Sequence, residues 1–496
     1  MRIICILLLL SMLLLVGCSE SSNNNETNAV RETSEPETTE FKYTAAYLPE
    51  KTYGGYEFRM VAPEDGMYDC ITTANVEDAI GDTVKDAIYA RNRLIEERYD
   101  VRFKQINATS WANLTEVFNK SVLSASDDFD LGMLISRDAW AAALSGSVLS
   151  ADQLPYLDIT QPWYSHDVNN EITIGGKLYF AYSDECLNMF EAAQCVLFNK
   201  KLADDFAFGD MYELVKNNKW TYDEFFGLCK TVSADLDGDG DMTDSDRYGI
   251  LSQFDSLYPC FWVSAGIKTI SKDADDLLIY TGDSEKLFVV LEKLYQNLFG
   301  SDKIFFCTWN DKAKIKKFPF GFVDDDQRKV SNMQFEENLG LFFVTGVGSI
   351  PALRAMETDF GVLPFPKYDE AQNKYYLRVI DGWINCVPVT AQDIERTSII
   401  MEALAVESKN ITIPAYFETA LRTKYARDDE SQDMLDIIHA NRTMDMGDTF
   451  YMNAVRQIYM GVLNAKRNNF ASAVESNRNA VNRELQKAND TAMGLE

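Results

Sequence analysis

Alternating apolar and polar positions predict a strand near the start of the globular part of the chain. The stretch GYEFRMVAP, residues 55–63, alternates and ends at Pro63, as expected for a strand that runs into a loop. A helix is predicted from Asp82, a capping side chain, because apolar residues then recur at spacings of three and four. These apolar residues are Val84, Ala87, Ile88, Leu94 and Ile95. DVRFKQI, residues 100–106, is predicted as a second strand.

This order of strand, helix and strand has the lengths of a parallel βαβ unit. A second helix is predicted from Leu114 to Ala125, and FDLGMLI, residues 129–135, predicts a third strand. The order favours an α/β lobe. Ligands of such sheets bind at the carboxyl ends of the strands, so we expect functional side chains in the loops that follow them.

The first residues of the chain have the pattern of an export signal. Arg2 is followed by an apolar run, residues 3–16, which is too short to span a membrane and suits a signal peptide. The run ends in Leu15-Val16-Gly17-Cys18, which resembles the lipobox of bacterial lipoproteins. We therefore predict a lipoprotein signal peptide over residues 1–17 and lipidation at Cys18. The alternative is a plain signal peptide followed by an incidental cysteine.

The segment after Cys18 contains almost nothing apolar to bury. We predict a disordered acidic tether over residues 18–50. No other run of about 18 apolar residues occurs, so no transmembrane helix is predicted. The expected location is extracytoplasmic, anchored to the outer face of the cell membrane as a lipoprotein.

Composition excludes some functions and leaves the fold open. The chain has 496 residues, a formal net charge of −30 and 46% hydrophobic residues. A negative field of this size disfavours binding to nucleic acid. An odd set of seven scattered cysteines follows Cys18, and it predicts small buried side chains rather than a disulfide framework. One Cys186–Cys195 bridge stays open as an alternative.

Four segments together resemble one protein family. Residues 128–158, 175–202, 340–370 and 378–391 match, in order, the strand, helix and crossing segments of extracellular solute-binding proteins of ABC importers. The resemblance is to the large, sugar-binding, maltose-binding-protein-like group. Each match is weak alone, and together with the lipobox they cover most of the chain from residue 50 onward.

The resemblance implies a two-lobed, periplasmic-binding-protein-like α/β fold with about three crossing strands at the hinge. The crossings place residues 51–190 and 340–382 in the first lobe, and residues 191–339 and 383–496 in the second. It also implies hinge closure on a small polar solute, expected to be a sugar or oligosaccharide, and delivery to ABC permease subunits.

The resemblance also implies a set of ligand-binding residues. These are Ser136, Arg137, Trp140, Tyr182, Ser183, Asp184, Trp262, Gly382, Trp383, Phe450 and Tyr451. Aromatic rings suit sugar faces, while arginine and aspartate suit hydroxyl groups. Asp381 and Cys386 in the third crossing depart from the sugar-binding pattern, so the substrate class stays open. The alternative for any single aromatic residue of this set is an ordinary place in the hydrophobic core.

The stretch DLDGDGDMTDSD, residues 235–246, has the spacing of a twelve-residue calcium loop. Its predicted ligands are Asp235, Asp237, Asp239, the Asp241 carbonyl and Asp246, with Gly240 at the turn and Met242 pointing inward. A bound Ca²⁺ would offset the repulsion among these carboxylates. The alternative is a solvated acidic loop without a metal.

The surroundings of this loop favour a structural role over a sensing role. A helix with a capping box at Thr221 and Glu224 precedes the loop, and the strand RYGILSQF follows it. The loop therefore joins a helix to a strand, without a second copy. We predict a structural Ca²⁺ of the extracellular affinity class, roughly 10⁻⁴ to 10⁻³ M or somewhat tighter.

The sequence offers little support for an enzyme. Only His166 and His439 are present, and no HExxH, GxSxG, Walker or GxGxxG motif occurs. A glycosidase needs only two carboxylates, so a surface-anchored glycoside hydrolase stays open as an alternative. A calcium-dependent adhesion lipoprotein is the other alternative.

Overall fold

The computed structural model describes residues 42–67, 71–300, 303–318, 326–380, 382–417 and 427–495, without the side chains of residues 326–328. The predicted signal peptide, Cys18 and most of the predicted tether lie outside the described residues. Residues 43–496 belong to a single unit.

Strands and helices alternate along the chain. The strands are β1 Tyr56–Pro63, β2 Val101–Ala108, β3 Leu131–Ile135, β4 Gln194–Asn199, β5 Tyr248–Leu251, β6 Ile270–Lys272, β7 Leu278–Tyr280, β8 Phe305–Phe306, β9 Gly340–Gly346, β10 Phe360–Pro364, β11 Leu377–Arg378, β12 Trp383–Cys386 and β13 Arg442–Thr443. The helices are α1 Thr83–Tyr99, α2 Trp111–Leu123, α3 Ser136–Leu144, α4 His166–Ile172, α5 Asn188–Glu191, α6 Lys200–Asp205, α7 Met211–Lys216, α8 Tyr222–Val232, α9 Phe254–Ser264, α10 Glu285–Phe299, α11 Asp326–Glu336, α12 Ile394–Glu407, α13 Asp429–Ala440, α14 Met446–Thr449, α15 Gln457–Asn464 and α16 Phe470–Met493.

The first sheet has the order β12-β3-β1-β2, in which β1 pairs in parallel with both β2 and β3. β12 runs antiparallel to β3. The predicted start of α1 is confirmed, because the Asp82 side chain accepts hydrogen bonds from the N–H groups of Val84 and Lys85. The carboxyl ends of β1, β2 and β3 therefore meet at one edge of the first lobe.

The second sheet has the order β10-β4-β9-β5-β8. β9, β5 and β8 are parallel, and β4 runs antiparallel between β9 and β10. Aromatic side chains fill the core beside it, and Phe225 stacks on Phe342 with ring centroids 5.0 Å apart. The carboxyl ends of the parallel strands again lie together, so each lobe presents one edge suited to a ligand.

The predicted lobe boundaries are wrong at the second crossing. Residues 340–382 were expected in the first lobe, but β9 and β10 both pair with β4 in the second sheet. Residues 383–417 were expected in the second lobe, but β12 pairs with β3 and α12 packs on α1. The first lobe therefore comprises residues 43–190 and 383–417, and the second comprises residues 191–380 and 427–495.

The end of the predicted tether belongs to the folded body, so the boundary at residue 50 is wrong. Ala45 and Leu48 are buried. The Tyr43 N–H donates to the Asn410 side chain at 2.8 Å, and Asn410 donates back to the Tyr43 carbonyl at 3.0 Å. The Tyr47 hydroxyl donates to Glu402, which lies on α12. Burial of Ala45 and Leu48 and these hydrogen bonds together hold the arm on the first lobe.

The surroundings of residues 235–246 agree with the prediction in part. The helix–loop–strand context of residues 235–246 is confirmed by α8 and β5. The predicted capping box is wrong, because Thr221 precedes α8 without a side-chain cap.

The six described cysteines are free and buried, which also excludes the Cys186–Cys195 bridge. Within the described ranges, every helix is too short or too polar to cross a membrane.

Candidate functional site

Ser136 connects two other predicted ligand-binding residues, Tyr182 and Gly382, at the carboxyl edge of the first sheet. It begins α3 directly after β3, and its N–H donates to the Gly382 carbonyl at 2.8 Å. Its hydroxyl lies 2.6 Å from the Tyr182 hydroxyl and donates to the same Gly382 carbonyl at 2.5 Å. Ser136 is fully buried, so it acts as a junction between the strand edge and two chain crossings rather than as an exposed ligand group.

Four aromatic side chains connect the two lobes, and we call them the aromatic bridge: Trp140, Phe180, Phe450 and Tyr451. The Trp140 ring centroid lies 5.3 Å from Phe450, 6.1 Å from Tyr451 and 6.3 Å from Phe180. Phe180 also lies 6.1 Å from Phe450. These rings bury one another, with Trp140 only 3% exposed. The aromatic residues predicted from the first and the second lobe therefore meet, although in this arrangement they offer no free face to a sugar.

Burial also affects the chemistry of the aromatic bridge. It raises the pKa of the Tyr451 hydroxyl well above its usual value, and the neighbouring Trp140 N–H opposes that shift. The Tyr451 side chain therefore stays neutral at physiological pH. A neutral hydroxyl and an indole N–H can both take part in hydrogen bonds to a polar solute once the lobes separate.

Buried carboxylates fix the second-lobe half of the aromatic bridge. Asp448 on α14 accepts two hydrogen bonds from Arg378, at 2.6 and 3.0 Å, and one from Arg456 at 3.4 Å. Asp445, which caps α14, accepts from the Thr269 N–H at 2.9 Å and the Thr269 hydroxyl at 2.6 Å. Burial raises the pKa of Asp445 to about 7, and the charge of Asp448 adds to this shift. These contacts hold Phe450 and Tyr451 in place at the end of α14.

Ser183 and Asp184 follow Tyr182 but do not join the aromatic bridge. Asp184 forms an ion pair with Lys409 at 3.0 Å. Burial raises the pKa of Asp184, while Lys409 and Arg442 oppose the shift. Ser183 lines a cavity of about 10 Å³ that also borders Glu185. A cavity of this size holds about one water molecule, so it is not a solute site.

Two predicted tryptophans lie in the cores of their lobes. Trp262 is fully buried on α9, with its ring 5.6 Å from Tyr459. The Trp383 backbone N–H donates to the Asn188 side chain at 2.7 Å, and its strand pairs with Ile135. The structure does not bring Trp262 into the group around Ser136, whereas Trp383 lies beside Gly382 at the strand edge.

Two exposed tryptophans at strand ends were missed by the sequence analysis. Trp111 follows β2 and is 39% exposed, with the Arg137 guanidinium 4.7 Å from its ring centroid. Trp309 follows β8 in the second lobe and is 42% exposed, with the Lys312 ammonium 3.5 Å from its ring centroid. A tryptophan three residues after a strand was the available signal, because the loop there lies at the ligand edge of an α/β sheet.

Residues 235–246, which we call the aspartate loop, bring three of their five predicted ligands together. Carboxylate oxygens of Asp235, Asp237 and Asp239 lie within 4.8 Å of one another. Asp235 accepts from the N–H groups of Gly238 and Gly240, both at 2.8 Å. Gly240 has φ +89°, which a side chain would disfavour. These are hard oxygen donors in a tight turn, the donor set that Ca²⁺ takes.

The C-terminal part of the aspartate loop is buried in the second lobe. Asp246 is buried and accepts from the N–H groups of Leu236 at 2.8 Å and Thr243 at 2.7 Å. The Asp239 N–H lowers the pKa of Asp237, but desolvation and the charges of Asp239 and Asp246 together raise it above its usual value. Met242 is buried as predicted. Asp241 is exposed, consistent with the use of its carbonyl rather than its side chain.

A larger groove of about 260 Å³ lies elsewhere on the second lobe. It is lined by residues of α15, the start of α16 and the segments next to them, including Asn453, Gln457, Arg467 and Asn477. None of the predicted ligand-binding residues borders it.

Comparison with known proteins identifies the fold. No protein-family model matches the chain, and no curated protein matches it. The maltose/maltodextrin-binding domain MalE from Bdellovibrio bacteriovorus, bound to maltotriose, is 15% identical with a TM-score of 0.51 and covers 88% of this chain and 99% of its own. UgpB from Mycobacterium tuberculosis in complex with glycerophosphocholine is 14% identical with a TM-score of 0.54 and covers 88% of this chain and 98% of its own.

An ABC substrate-binding protein from Listeria monocytogenes in complex with cycloalternan has a TM-score of 0.55 at 11% identity, and covers 87% of this chain and 99% of its own. Sequence identities this low show the fold alone. The predicted two-lobed, periplasmic-binding-protein-like α/β fold is confirmed.

Proposed function

We propose that this chain is an extracytoplasmic, lipid-anchored receptor that closes on a small polar solute and delivers it to an ABC permease. The observation that carries this proposal is the aromatic bridge. Trp140 of the first lobe meets Phe450 and Tyr451 of the second beside the carboxyl edge of the first sheet. A solute bound there would contact both lobes, so its binding energy would favour closure.

Carbohydrate is the solute class that the side chains favour. Trp111 and Trp309 present partly exposed indole faces, and the aromatic bridge adds four more rings when it opens. Aromatic faces bind the C–H faces of sugars, and Arg137 can donate to hydroxyl groups. The similar structures described above hold maltotriose, cycloalternan and glycerophosphocholine, which are all polyhydroxylated or polar solutes.

The anchor would act through the first lobe. Residues 43–48 pack on that lobe through Asn410 and Glu402. A lipid on Cys18 would therefore tether the protein through its first lobe. Cys18→Ser should transfer the protein from the membrane fraction to the soluble fraction, and unchanged membrane retention would contradict lipidation at this residue.

We also propose that the aspartate loop binds one structural Ca²⁺. Asp235, Asp237, Asp239 and Asp246 would supply carboxylate oxygens and Asp241 its carbonyl. A Ca²⁺ there would supply positive charge that offsets the repulsion among exposed carboxylates. The loop would stiffen the connection between α8 and β5 and take no part in chemistry.

A thermal-shift screen against a panel of oligosaccharides tests the receptor proposal. A solute that binds only the folded protein should raise the melting temperature progressively with its concentration. Parallel incubation with chromogenic glycosides tests the alternative of a glycoside hydrolase. Turnover of a glycoside would contradict the proposal, as would a panel in which no polar solute changes the melting temperature.

A further inference from the structure

Asp244, in the aspartate loop, connects that loop to the segment that carries Trp309. It is fully buried and is not among the predicted calcium ligands. Asp246 closes the aspartate loop on itself, because its carboxylate accepts from the N–H groups of Leu236 and Thr243 within the loop. The Asp244 carboxylate instead contacts residues 72 to 74 positions later in the chain. The two buried aspartates therefore have different roles.

The Asp244 carboxylate accepts three backbone hydrogen bonds from one short stretch, residues 316–318. The Lys316 N–H donates to one oxygen at 2.9 Å. The N–H groups of Lys317 and Phe318 donate to the other oxygen, at 2.8 and 2.9 Å. Hydrogen bonds to a charged acceptor are stronger than those to a neutral one, so this stretch is held firmly against the aspartate loop.

The backbone of Asp244 adds two further contacts. Its N–H donates to the Lys314 carbonyl at 3.2 Å, and its carbonyl accepts from the Gln334 side chain of α11, also at 3.2 Å. The N–H, the carbonyl and both carboxylate oxygens of Asp244 therefore all contact residues outside the aspartate loop.

The stretch held by the aspartate loop continues back to Trp309 through a compact turn. Lys312–Lys314 is a 3₁₀ helix, and the Lys314 N–H donates to the Asp311 carbonyl at 2.7 Å. The Asp311 N–H donates to the Cys307 carbonyl at 2.8 Å, and the Asp311 carboxylate accepts from the Cys307 N–H at 3.2 Å. A continuous series of hydrogen bonds thus leads from the aspartate loop to the turn that contains Trp309.

Two lysines of this segment form ion pairs away from the aspartate loop. Lys314 pairs with Asp311 at 3.4 Å, and Lys317 pairs with Glu337. Both lysine side chains are partly exposed, so water and salt weaken these pairs. The buried Asp244 carboxylate is shielded from both, and it is therefore the contact on which the position of the segment depends most.

We propose that Asp244 is a positioning residue that fixes Trp309 at the ligand edge of the second lobe. Trp309 is 42% exposed and follows β8, whose carboxyl end lies at that edge. The aspartate loop thereby influences solute affinity, although it precedes β5 and the ligand edge follows β5. The effect on affinity rests on the proposed function, whereas the positioning of Trp309 does not.

Fluorine NMR of the full-length chain labelled with fluorotryptophan tests the positioning role without any solute. The chain has seven tryptophans, and Trp309→Phe and Trp111→Phe identify two of the signals. Asp244→Asn replaces one acceptor oxygen by an NH₂ group, which cannot accept from the N–H groups that face it. The Trp309 signal should then shift by more than its width in the wild type, while the Trp111 signal should stay in place.

Asp210→Asn is the matched control, since Asp210 also accepts from two backbone N–H groups, at the start of α7. It should leave the Trp309 signal unchanged. Insertion of two glycines between Ile315 and Lys316 loosens the same connection without altering the buried Asp244, in a stretch where Lys316 is exposed. The insertion should move the Trp309 signal, and the addition of Asp244→Asn should cause no further change, because both break one connection.

The positioning role would be overturned if the Trp309 signal of Asp244→Asn or of the insertion variant matched that of the wild type. It would also be overturned if the Trp111 signal moved as far as the Trp309 signal, because that result shows a general loosening of the protein.

Calorimetry with the solute found by thermal shift tests the effect on binding. Trp309→Ala should weaken binding about tenfold, Asp244→Asn about three- to tenfold, and the double variant no more than Trp309→Ala alone. A further loss in the double variant, or wild-type affinity in Asp244→Asn, would contradict an action through Trp309. If the wild-type chain binds no solute, the proposed function is wrong, and the fluorine spectra still decide the positioning role.

Discussion

Asp445 is a buried carboxyl group that titrates near neutral pH. Its folded pKa of about 7 lies above the ordinary value of 3.8, because burial disfavours the charged form. The folded state therefore binds a proton more readily than the unfolded state. The contribution of Asp445 to stability is fully present below about pH 4 and is lost as the pH rises through about 7.

Asp445→Asn should remove this pH dependence. The wild-type free energy of unfolding should fall across pH 4 to 7 with a contribution from Asp445 of at most about 1.4 kcal/mol per pH unit. The variant should have a flatter profile, since an uncharged amide can accept from the Thr269 N–H and donate to the Thr269 hydroxyl oxygen. Chemical denaturation at a series of pH values measures the profile.

The exposed Asp204→Asn is the control for Asp445→Asn and should keep the wild-type profile. Identical slopes in wild type and Asp445→Asn would contradict the assignment of this titration to Asp445.

The sequence motifs predicted which residues lie near one another more accurately than they predicted which side chains are buried in the core. The motif positions placed Ser136, Tyr182 and Gly382 in one group, and the structure joins them through hydrogen bonds. The same reasoning placed Trp262 near the ligand, although its side chain packs inside the second lobe. Every residue of α9 from Leu257 to Ser264 is buried, so the pattern of apolar residues does not show which side of this helix faces the cleft.

Among the elements, the aspartate loop gives the clearest link from sequence to chemistry. Its position between a helix and a strand, its glycine turn and its inward methionine were predicted from local pattern alone. Local pattern suffices here because all the ligand atoms come from twelve consecutive residues. Its occupancy by Ca²⁺ remains a prediction.

Asp239→Ala and Asp241→Ala separate a metal site from a solvated acidic loop. Asp239→Ala should abolish the difference in melting temperature between calcium-containing buffer and buffer with chelator, because it removes a ligand oxygen. Asp241→Ala should keep that difference, because only its carbonyl is proposed to bind. Asp239→Ala combined with Asp246→Ala should also melt lower in calcium.

Equal melting of the wild-type protein in calcium and in chelator would contradict the calcium proposal. Asp246 alone is a poor probe, because its carboxylate also accepts backbone hydrogen bonds from Leu236 and Thr243. Its removal should destabilise the loop with or without a metal.

Lobe membership was the part of the element prediction that failed. Residues 340–382 were assigned to the first lobe, but the strands that they contain, β9 and β10, belong to the second sheet. Their apolar residues are compatible with either sheet, and the choice depends on pairing with β4, more than 100 residues earlier in the chain. Such long-range register is set by the assembled core and is not visible in a local pattern.

At the scale of the whole molecule, two α/β lobes built on separate sheets meet at the aromatic bridge. The fold could be predicted because the strand motifs and two of the predicted crossing segments, residues 175–202 and 378–391, occurred in a consistent order. The covered state of the cleft could not be predicted, since it depends on contacts between residues such as Trp140 and Phe450 that lie far apart in sequence.

Isothermal titration calorimetry with the solute found by thermal shift tests the central claim most directly. The wild-type chain should bind one solute molecule. Arg137→Ala should weaken binding about tenfold or more, because Arg137 lies at the first-lobe edge of the cleft beside Trp111. Arg102→Ala, an exposed arginine within β2, should bind like wild type. Equal affinity of all three proteins, or the absence of saturable binding, would contradict a solute held between the lobes.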